Sequence, residues 1–396
     1  MSGRSAPTAG LRGAALGLAF VTALACGGQK RITGAPATPA STHAAPAQAP
    51  GATGPGAPSR ASASTDSTAL VASAVGPAAS GGTPPSPATT SRLDETRALL
   101  ALTGTHSASL GAPGGGTLRG GIALPRAGPG FIHNDKRPPD ARYGTVELVH
   151  AIVKGAAAVE RELPGIPLVV NDLSLPAGGP IAQHGSHQSG RDADILFYVL
   201  DSAGAPLRSV GVPLDPEGKG WDFKELPVAE DDIAVKLDAP RTWRFVQGLL
   251  EAGGEDVQRI FIVEHVRAFL LAEAERVRAP AALRQRFADV TCQPGTPHDD
   301  HMHVRFFCSP DDIGQGCLDK PPIYPWHTLA LQALGLQPVL ERVANRAARE
   351  QQVDERTTSR AEARKRAGPM HATVRRFLAL REQWAKQPRP GRLYCK

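Results

Sequence analysis

The chain has no Ser-x-x-Lys and no Gly-x-Ser-x-Gly in its 396 residues, so neither a lysine-activated serine nor a nucleophile elbow is available for acyl-enzyme chemistry. Cys-x-x-Cys is also absent, which counts against a structural metal site built on cysteine. No apolar run reaches the roughly 20 residues that span a bilayer; the N-terminal run, Ala14 to Leu24, stops well short. Internal repeats are missing too. Between residues 27 and 91 large apolar side chains almost disappear, replaced by Ala, Pro, Thr, Ser and Gly. Such a tract cannot bury enough surface to offset its ordering entropy and reads as a disordered linker. Its prolines favour extended conformations that let a tethered domain stand off from its anchor.

Residues 1–26 carry Arg4 and Arg12, the apolar run, and then Ala23-Leu24-Ala25-Cys26. This is the pattern of an export signal. A cysteine directly after Leu-Ala resembles the processing site of bacterial lipoproteins, where the cysteine is acylated and anchors the mature protein in lipid. That resemblance implies a periplasmic protein held on a membrane, the outer membrane being favoured; ordinary signal cleavage with Cys26 incidental is the alternative. The other cysteines, Cys292, Cys308, Cys317 and Cys395, are an even set in a chain that leaves the reducing cytosol, so two disulfides are expected. Three connectivities remain open, with Cys308–Cys317 the preferred local pair. The formal net charge of +6 is not read as a nucleic-acid surface, because export removes that partner.

From residue 92 large apolar residues return, and 92–320 mixes helical and strand patterns in a way that suits one α+β domain. The expected fold is a small antiparallel sheet carrying the functional site, flanked by helices. Val146–Glu162 places Leu148, Val149, Ile152, Val153 and Ala156 on one helical face, and Pro164-Gly165 closes it. Thr242–Leu250 and Val266–Val277 also read as helices. Strands are expected at Ile166–Val170, Asp194–Leu200, Arg259–Val263 and Met302–Cys308. Residues 321–396 read as a helical C-terminal extension that includes a polar run, Asn345 to Arg366, and a helix around Thr373–Trp384.

The chemistry-bearing residues cluster in two segments, His184-Gly185-Ser186-His187 and His298-Asp299-Asp300-His301-Met302-His303. On a strand, alternate side chains share a face, so His301 and His303 point into one cleft, where one can bind a metal while the other handles protons. Gly190 allows a turn between His187 and the strand residue Asp194, letting those two converge. Two imidazoles and one carboxylate leave an open coordination position, as a catalytic zinc requires. Zinc lowers the pKa of bound water to roughly 7 and polarises a carbonyl. A nearby imidazole can accept the proton and pass it to the leaving amine, and a second can stabilise the oxyanion. Asp192 shares the face of Asp194 and can orient a ligand histidine or form a plain ion pair. Arg305 can meet a substrate carboxylate or serve as a buried partner for Asp192 or Asp299.

These residues resemble the penicillin-insensitive murein endopeptidases, within the wider group of zinc peptidases that includes lysostaphin-like and D-Ala-D-Ala peptidases. The resemblance rests on Ser186-His187-Gln188-Ser189-Gly190-Arg191-Asp192-Ala193-Asp194-Ile195, on His298 to Arg305, and on Leu175-Pro176-Ala177-Gly178-Gly179. Gly121-Ile122-Ala123-Leu124-Pro125 and Arg142-Tyr143-Gly144 add weaker support. It covers roughly residues 117–318 and leaves the linker and the C-terminal extension unexplained. What it implies is Zn(2+) at His187, Asp194 and His303, with His301 as candidate general base and His184 and His298 as further active-site histidines. The implied substrate is the peptide cross-link of peptidoglycan.

Three other functions fit part of this pattern. The ligand types also suit a non-haem Fe(II) oxygenase, but an exported protein lacks ready access to a cytosolic 2-oxo acid. A non-catalytic wall-binding lipoprotein would tolerate decay of the ligands, and all are present. A D-Ala-D-Ala carboxypeptidase or dipeptidase differs from an endopeptidase in whether the cleft closes around a terminal carboxylate.

Overall fold

The computed structural model describes residues 87–342, 354–386 and 395. The expected export signal, nearly all of the expected linker and part of the polar run lie outside them. The α+β expectation holds. A seven-stranded sheet forms from β1 (Ala127–Gly128), β2 (Phe131–His133), β3 (Leu168–Val170), β4 (Asp192–Leu196), β5 (Val257–Phe261), β6 (Thr291–Cys292) and β7 (His301–Phe306). The strands lie in the order β6-β5-β7-β4-β3-β2-β1. The sheet is therefore larger than the sequence suggested. Its centre is antiparallel, while β5 with β6 and β2 with β3 pair in parallel.

One register does most to place the site. β7 runs antiparallel to β4 with His303 opposite Asp194 and Arg305 opposite Asp192. Because successive strand residues face opposite ways, His301, His303, Arg305, Asp192 and Asp194 share one polar face. Their neighbours Ala193, Ile195, Met302, Val304 and Phe306 enter the core on the other. A one-residue slip would bury the charges and expose the apolar set, so the hydrophobic pattern itself specifies the alignment.

That core is closed by α2 (Val146–Glu162) and α3 (Ala239–Gly253), whose apolar stripes include Leu148, Ile152, Phe245 and Leu249. α1 (Pro87–Leu100) precedes them, and α4 (Glu264–Arg276) and α5 (Ala281–Val290) follow. α3 starts three residues earlier than its apolar pattern suggests because Asp238 caps it, accepting from the Arg241 amide at 3.1 Å, with Pro240 in the first turn. The α2–α3 approach is close: a Cβ at Gly248 would lie 2.9 Å from Gly155 Cα. Gly248→Val is expected to destabilise the fold by about 1–3 kcal/mol through overpacking, read as a lower melting temperature; an unchanged melting temperature would contradict this contact.

The expected strand Asp194–Leu200 is two strands. β4 stops at Leu196, and Val199–Leu200 joins a separate antiparallel sheet of four strands with Pro206–Leu207, Lys219–Asp222 and Ile233–Leu237. Short helices α6 (Pro310–Gly314) and α7 (Pro325–Ala333) come next, then α8 (Arg360–Ala367) and α9 (Ala372–Lys386). α9 seats Val374 and Phe377 against Phe223 of the second sheet's hairpin. Disulfides join Cys308 to Cys317 and Cys292 to Cys395. No helix among the described residues is long and apolar enough to cross a membrane.

Candidate metal centre

His187 arrives on a loop whose path depends on glycine. Gly190 has φ +79°, and a Cβ there would run into Leu118 at 2.5 Å. Gly178, at φ +69°, would place a Cβ 2.2 Å from the Gln188 carbonyl. Only a residue without a side chain fits at either point. The loop is pinned by Ser174, whose hydroxyl donates to the His187 carbonyl and accepts from the Gly190 amide. His187 itself takes a left-handed backbone, φ +66°, and its amide donates to Asp192 Oδ2 at 3.2 Å. Arg191, fully buried, locks the far side by donating to Ser109, Asp319 and the Phe306 and Leu318 carbonyls.

The Asp194 carboxylate is the point of convergence. His187 Nε2 and His303 Nδ1 each lie 3.3 Å from its Oδ1, His301 Nε2 lies 3.5 Å from the same oxygen, and His184 Nδ1 lies 3.6 Å from Oδ2. Four of the five imidazoles proposed from the two motifs are therefore brought together at Asp194. His298 completes the group, its ring centroid 4.9 Å from that of His301.

Outer partners fix which nitrogen of each ring faces inward. His187 Nδ1 donates to the Leu173 carbonyl at 2.8 Å, which leaves Nε2 with a lone pair. His303 Nε2 donates to Asp192 Oδ1 at 2.7 Å, which leaves Nδ1 to face Asp194. His184 Nε2 meets Asp172 at 2.9 Å, and His301 Nδ1 meets Asp300 at 2.7 Å. Carboxylate or carbonyl partners on the remote nitrogen are the arrangement that orients metal-binding histidines. Two buried atoms in the middle, His187 Nε2 and Asp194 Oδ1, have no hydrogen-bond partner. Buried acceptors without a partner at the centre of such a cluster are what a cation would satisfy.

The carboxylates and imidazoles also shift one another's charge states. Burial works to raise the Asp194 carboxyl, but His301 and His187 outweigh it and hold it well below the usual carboxylate range. Burial likewise opposes charge on His187, yet Asp194 raises it above its ordinary value. His303 goes the other way, pushed down by burial to about 4. Burial, together with His301 and His303, pushes His298 down to about 3. Since His298 Nδ1 donates to the Thr296 carbonyl at 2.9 Å, its Nε2 is a neutral acceptor. His301 is held well above its ordinary value because Asp194 and Asp300 overcome its burial.

Among the described residues, ligand atoms of His184, His187 and Asp194 all lie within 4.8 Å of one another. His187 and Asp194 belong to that trio and to the set implied by the sequence resemblance; the third ligand is the point of choice, His184 or His303. Arg305 pairs with Asp192, Nε to Oδ1, at 2.6 Å. Asp172 was not visible from the sequence. Burial tends to raise its carboxyl, but the pairs with His184 and Arg137 hold it down at about 2. Its only sequence signal is its place just past β3.

These side chains open onto a cleft of about 530 Å³. The sequence model of the penicillin-insensitive murein endopeptidase family matches residues 109–327, more than half of the chain. Relatives described as penicillin-insensitive murein endopeptidases come from Klebsiella pneumoniae subsp. pneumoniae, Pectobacterium atrosepticum and Yersinia pestis. The first is 29% identical over 232 residues, covering 56% of this chain and 73% of the relative. The second is 29% identical over 185 residues, covering 46% of this chain and 58% of the relative. The third is 29% identical over 188 residues, covering 46% and 59%. The chain thus spans less than two thirds of the latter two. The match to the family model, over a stretch that contains every residue of the histidine and aspartate cluster, places this chain in the penicillin-insensitive murein endopeptidase family.

Proposed function

We propose that this protein is an exported, zinc-dependent endopeptidase that hydrolyses D-alanyl to diamino acid cross-links in peptidoglycan, with zinc held by His187, Asp194 and His303. The observation that carries this reading is the orphaned pair at the centre of the cluster, His187 Nε2 and Asp194 Oδ1. His303 is preferred as third ligand because the strand register sets it directly opposite Asp194, and its Nδ1 approaches the same orphaned oxygen. His184 approaches the other oxygen from a loop. When bound, zinc would supply an acidified water and polarise the scissile carbonyl.

The chain's own groups do the rest. His301 turns Nε2 toward the centre while Asp300 holds Nδ1; Asp194 favours the protonated ring, and once that charge is shared with a bound cation Nε2 would be the nitrogen that accepts a proton and returns it to the leaving amine. Asp300 stabilises the imidazolium formed in between. His298, neutral with Nε2 as acceptor, can take a hydrogen bond from a substrate N–H. His184, braced by Asp172, supports charge at the mouth of the site. Asp192 keeps His303 in the correct tautomer and carries Arg305 alongside.

Cys26 as a lipid anchor and the proline-rich tract after it would hold the domain within reach of the periplasmic wall. Cys26→Ala is expected to release the processed protein from the membrane fraction of a bacterial host, checked by fractionation and immunoblotting; continued retention would rule out acylation there. The enzymatic test is zinc content together with muropeptide mass analysis. One zinc per chain and conversion of cross-linked dimers to monomers is expected, whereas loss of only a terminal D-alanine would make the protein a carboxypeptidase.

A further inference from the structure

We infer that the C-terminal segment, residues 354–386, is a working part of the active site: Thr357, Arg381 and Trp384 are positioning residues that hold the two histidine loops on either side of the cleft. This rests on the proposed hydrolase reading. The segment lies beyond residues 109–327, which the family model matches, so the family's own framework does not account for it.

Each histidine loop carries a residue with a side chain in left-handed backbone, Gln183 at φ +72° beside His184, and His298 itself at φ +51°. Such conformations persist only where the surroundings hold them, and they concentrate at functional sites. In both loops part of the hold comes from the C-terminal segment. The Gln183 amide donates to Thr357 Oγ1 at 3.1 Å, and its side chain donates to the Arg356 carbonyl at 3.4 Å. On the other side, Asp299, fully buried between His298 and Asp300, receives a bidentate pair from Arg381. Arg381 Nε lies 2.8 Å from Oδ2 and Nη2 lies 2.6 Å from Oδ1, while Trp384 Nε1 donates to Oδ2 at 2.9 Å. A bidentate guanidinium fixes direction as well as distance.

The segment is itself anchored. Val374 and Phe377 pack on Phe223, and Trp384 meets the rings of Phe377 and His265. Cys395, nine residues beyond α9, is bonded to Cys292, and its amide donates to the Gln293 carbonyl at the base of the His298 loop. Thr358 and Ala363 line the same cleft as His184, His298 and His301. One continuous piece of chain therefore ties both loops and walls the space between them. It would keep His301, next to the clamped Asp299–Asp300 turn, and His184 at working distance from the centre.

The experiment uses the full chain loaded with zinc, as Trp384→Phe, Thr357→Val and Thr357→Ser. Trp384→Phe and Thr357→Val each remove one hydrogen bond, and Thr357→Ser keeps its hydroxyl. Amide hydrogen exchange over residues 181–187 and 294–301 reports the loops without reference to activity; kcat and KM on a cross-linked murein dimer report the consequence. A lost bond to a carboxylate corresponds to roughly tenfold and a neutral one to roughly fivefold. Trp384→Phe is expected to speed exchange in 294–301 by about tenfold, and Thr357→Val in 181–187 by about fivefold. Both should lower kcat more than they change KM, at unchanged zinc content, with Thr357→Ser restoring wild-type values. Unchanged exchange in both loops would overturn the inference, and so would faster exchange with kcat unaltered. Should the wild type cleave no murein, the hydrolase reading fails by itself, and the exchange measurements alone decide whether the segment holds the loops.

Discussion

Replacing His303 by alanine is expected to strip the metal, while His301→Ala keeps the metal and loses turnover. The two residues sit two apart on β7, share its polar face and both lie against Asp194, His303 buried and His301 half-buried. A role shared by simple proximity would make them equivalent. Their outer partners make them different. His303 is oriented by Asp192 deep in the sheet, so its inward nitrogen is a fixed lone pair. His301 is held at the cleft by Asp300, one residue away, and is drawn toward the protonated form by two carboxylates. Loss of a ligand should weaken metal binding by more than the roughly 10–100-fold typical of an outer partner. Loss of the proton carrier should lower kcat by about 10²–10⁴-fold at full occupancy. His184→Ala belongs in the same series: if it empties the site while His303→Ala does not, the third ligand is His184. Metal analysis after dialysis, paired with steady-state rates, reads all three variants.

Asp192→Ala is expected to be the most damaging change outside the ligand set. Asp192 is fully buried, accepts from His303 and Arg305 through one oxygen, and accepts the His187 amide through the other. Burial tends to raise its carboxyl, but Arg305, His303 and His187 overcome that and hold it far below the carboxylate range. Removing it leaves the Arg305 guanidinium with little solvent and without that partner. Breaking a buried pair in this way costs about 3–5 kcal/mol, a melting-temperature loss on the order of 10 °C for a chain of this size. Metal affinity should fall by a further ~10–100-fold as His303 loses its tautomer control. Thermal unfolding and metal titration check the two effects separately. A variant that unfolds early but binds zinc normally would make Asp192 purely structural.

Much of the site was legible because its geometry is local. His301, His303 and Arg305 alternate along one strand, and Asp192 and Asp194 along its neighbour, so period-two patterning predicts a common polar face without any knowledge of the fold. Gly190 announced the turn that brings His187 back to Asp194. The helix Val146–Glu162 was legible with both ends, since its apolar stripe is long and Pro164-Gly165 follows it. Less was legible wherever partners are distant in sequence. Asp172 meets His184 across a loop and follows β3 with no motif around it. The break at Phe197-Tyr198 was hidden because both residues are apolar and fit a continuous strand, yet the chain leaves one sheet there for another. α5 was missed because only Phe287 and Val290 of its ten residues are buried, too few to mark a stripe. The contacts of α9 with Asp299 were beyond sequence reasoning, as they join residues 82 and 85 positions apart.

Whether this cluster hydrolyses a cross-link within the wall peptide is decided by muropeptide mass analysis. Purified peptidoglycan is incubated with the zinc-loaded chain, with the chain after chelation, and with the chelated chain after zinc is restored. Cross-linked dimers are expected to fall and monomers to rise in the first and third samples and not in the second. Dimers that persist undiminished with the zinc-loaded protein, or that disappear equally after chelation, would contradict this expectation.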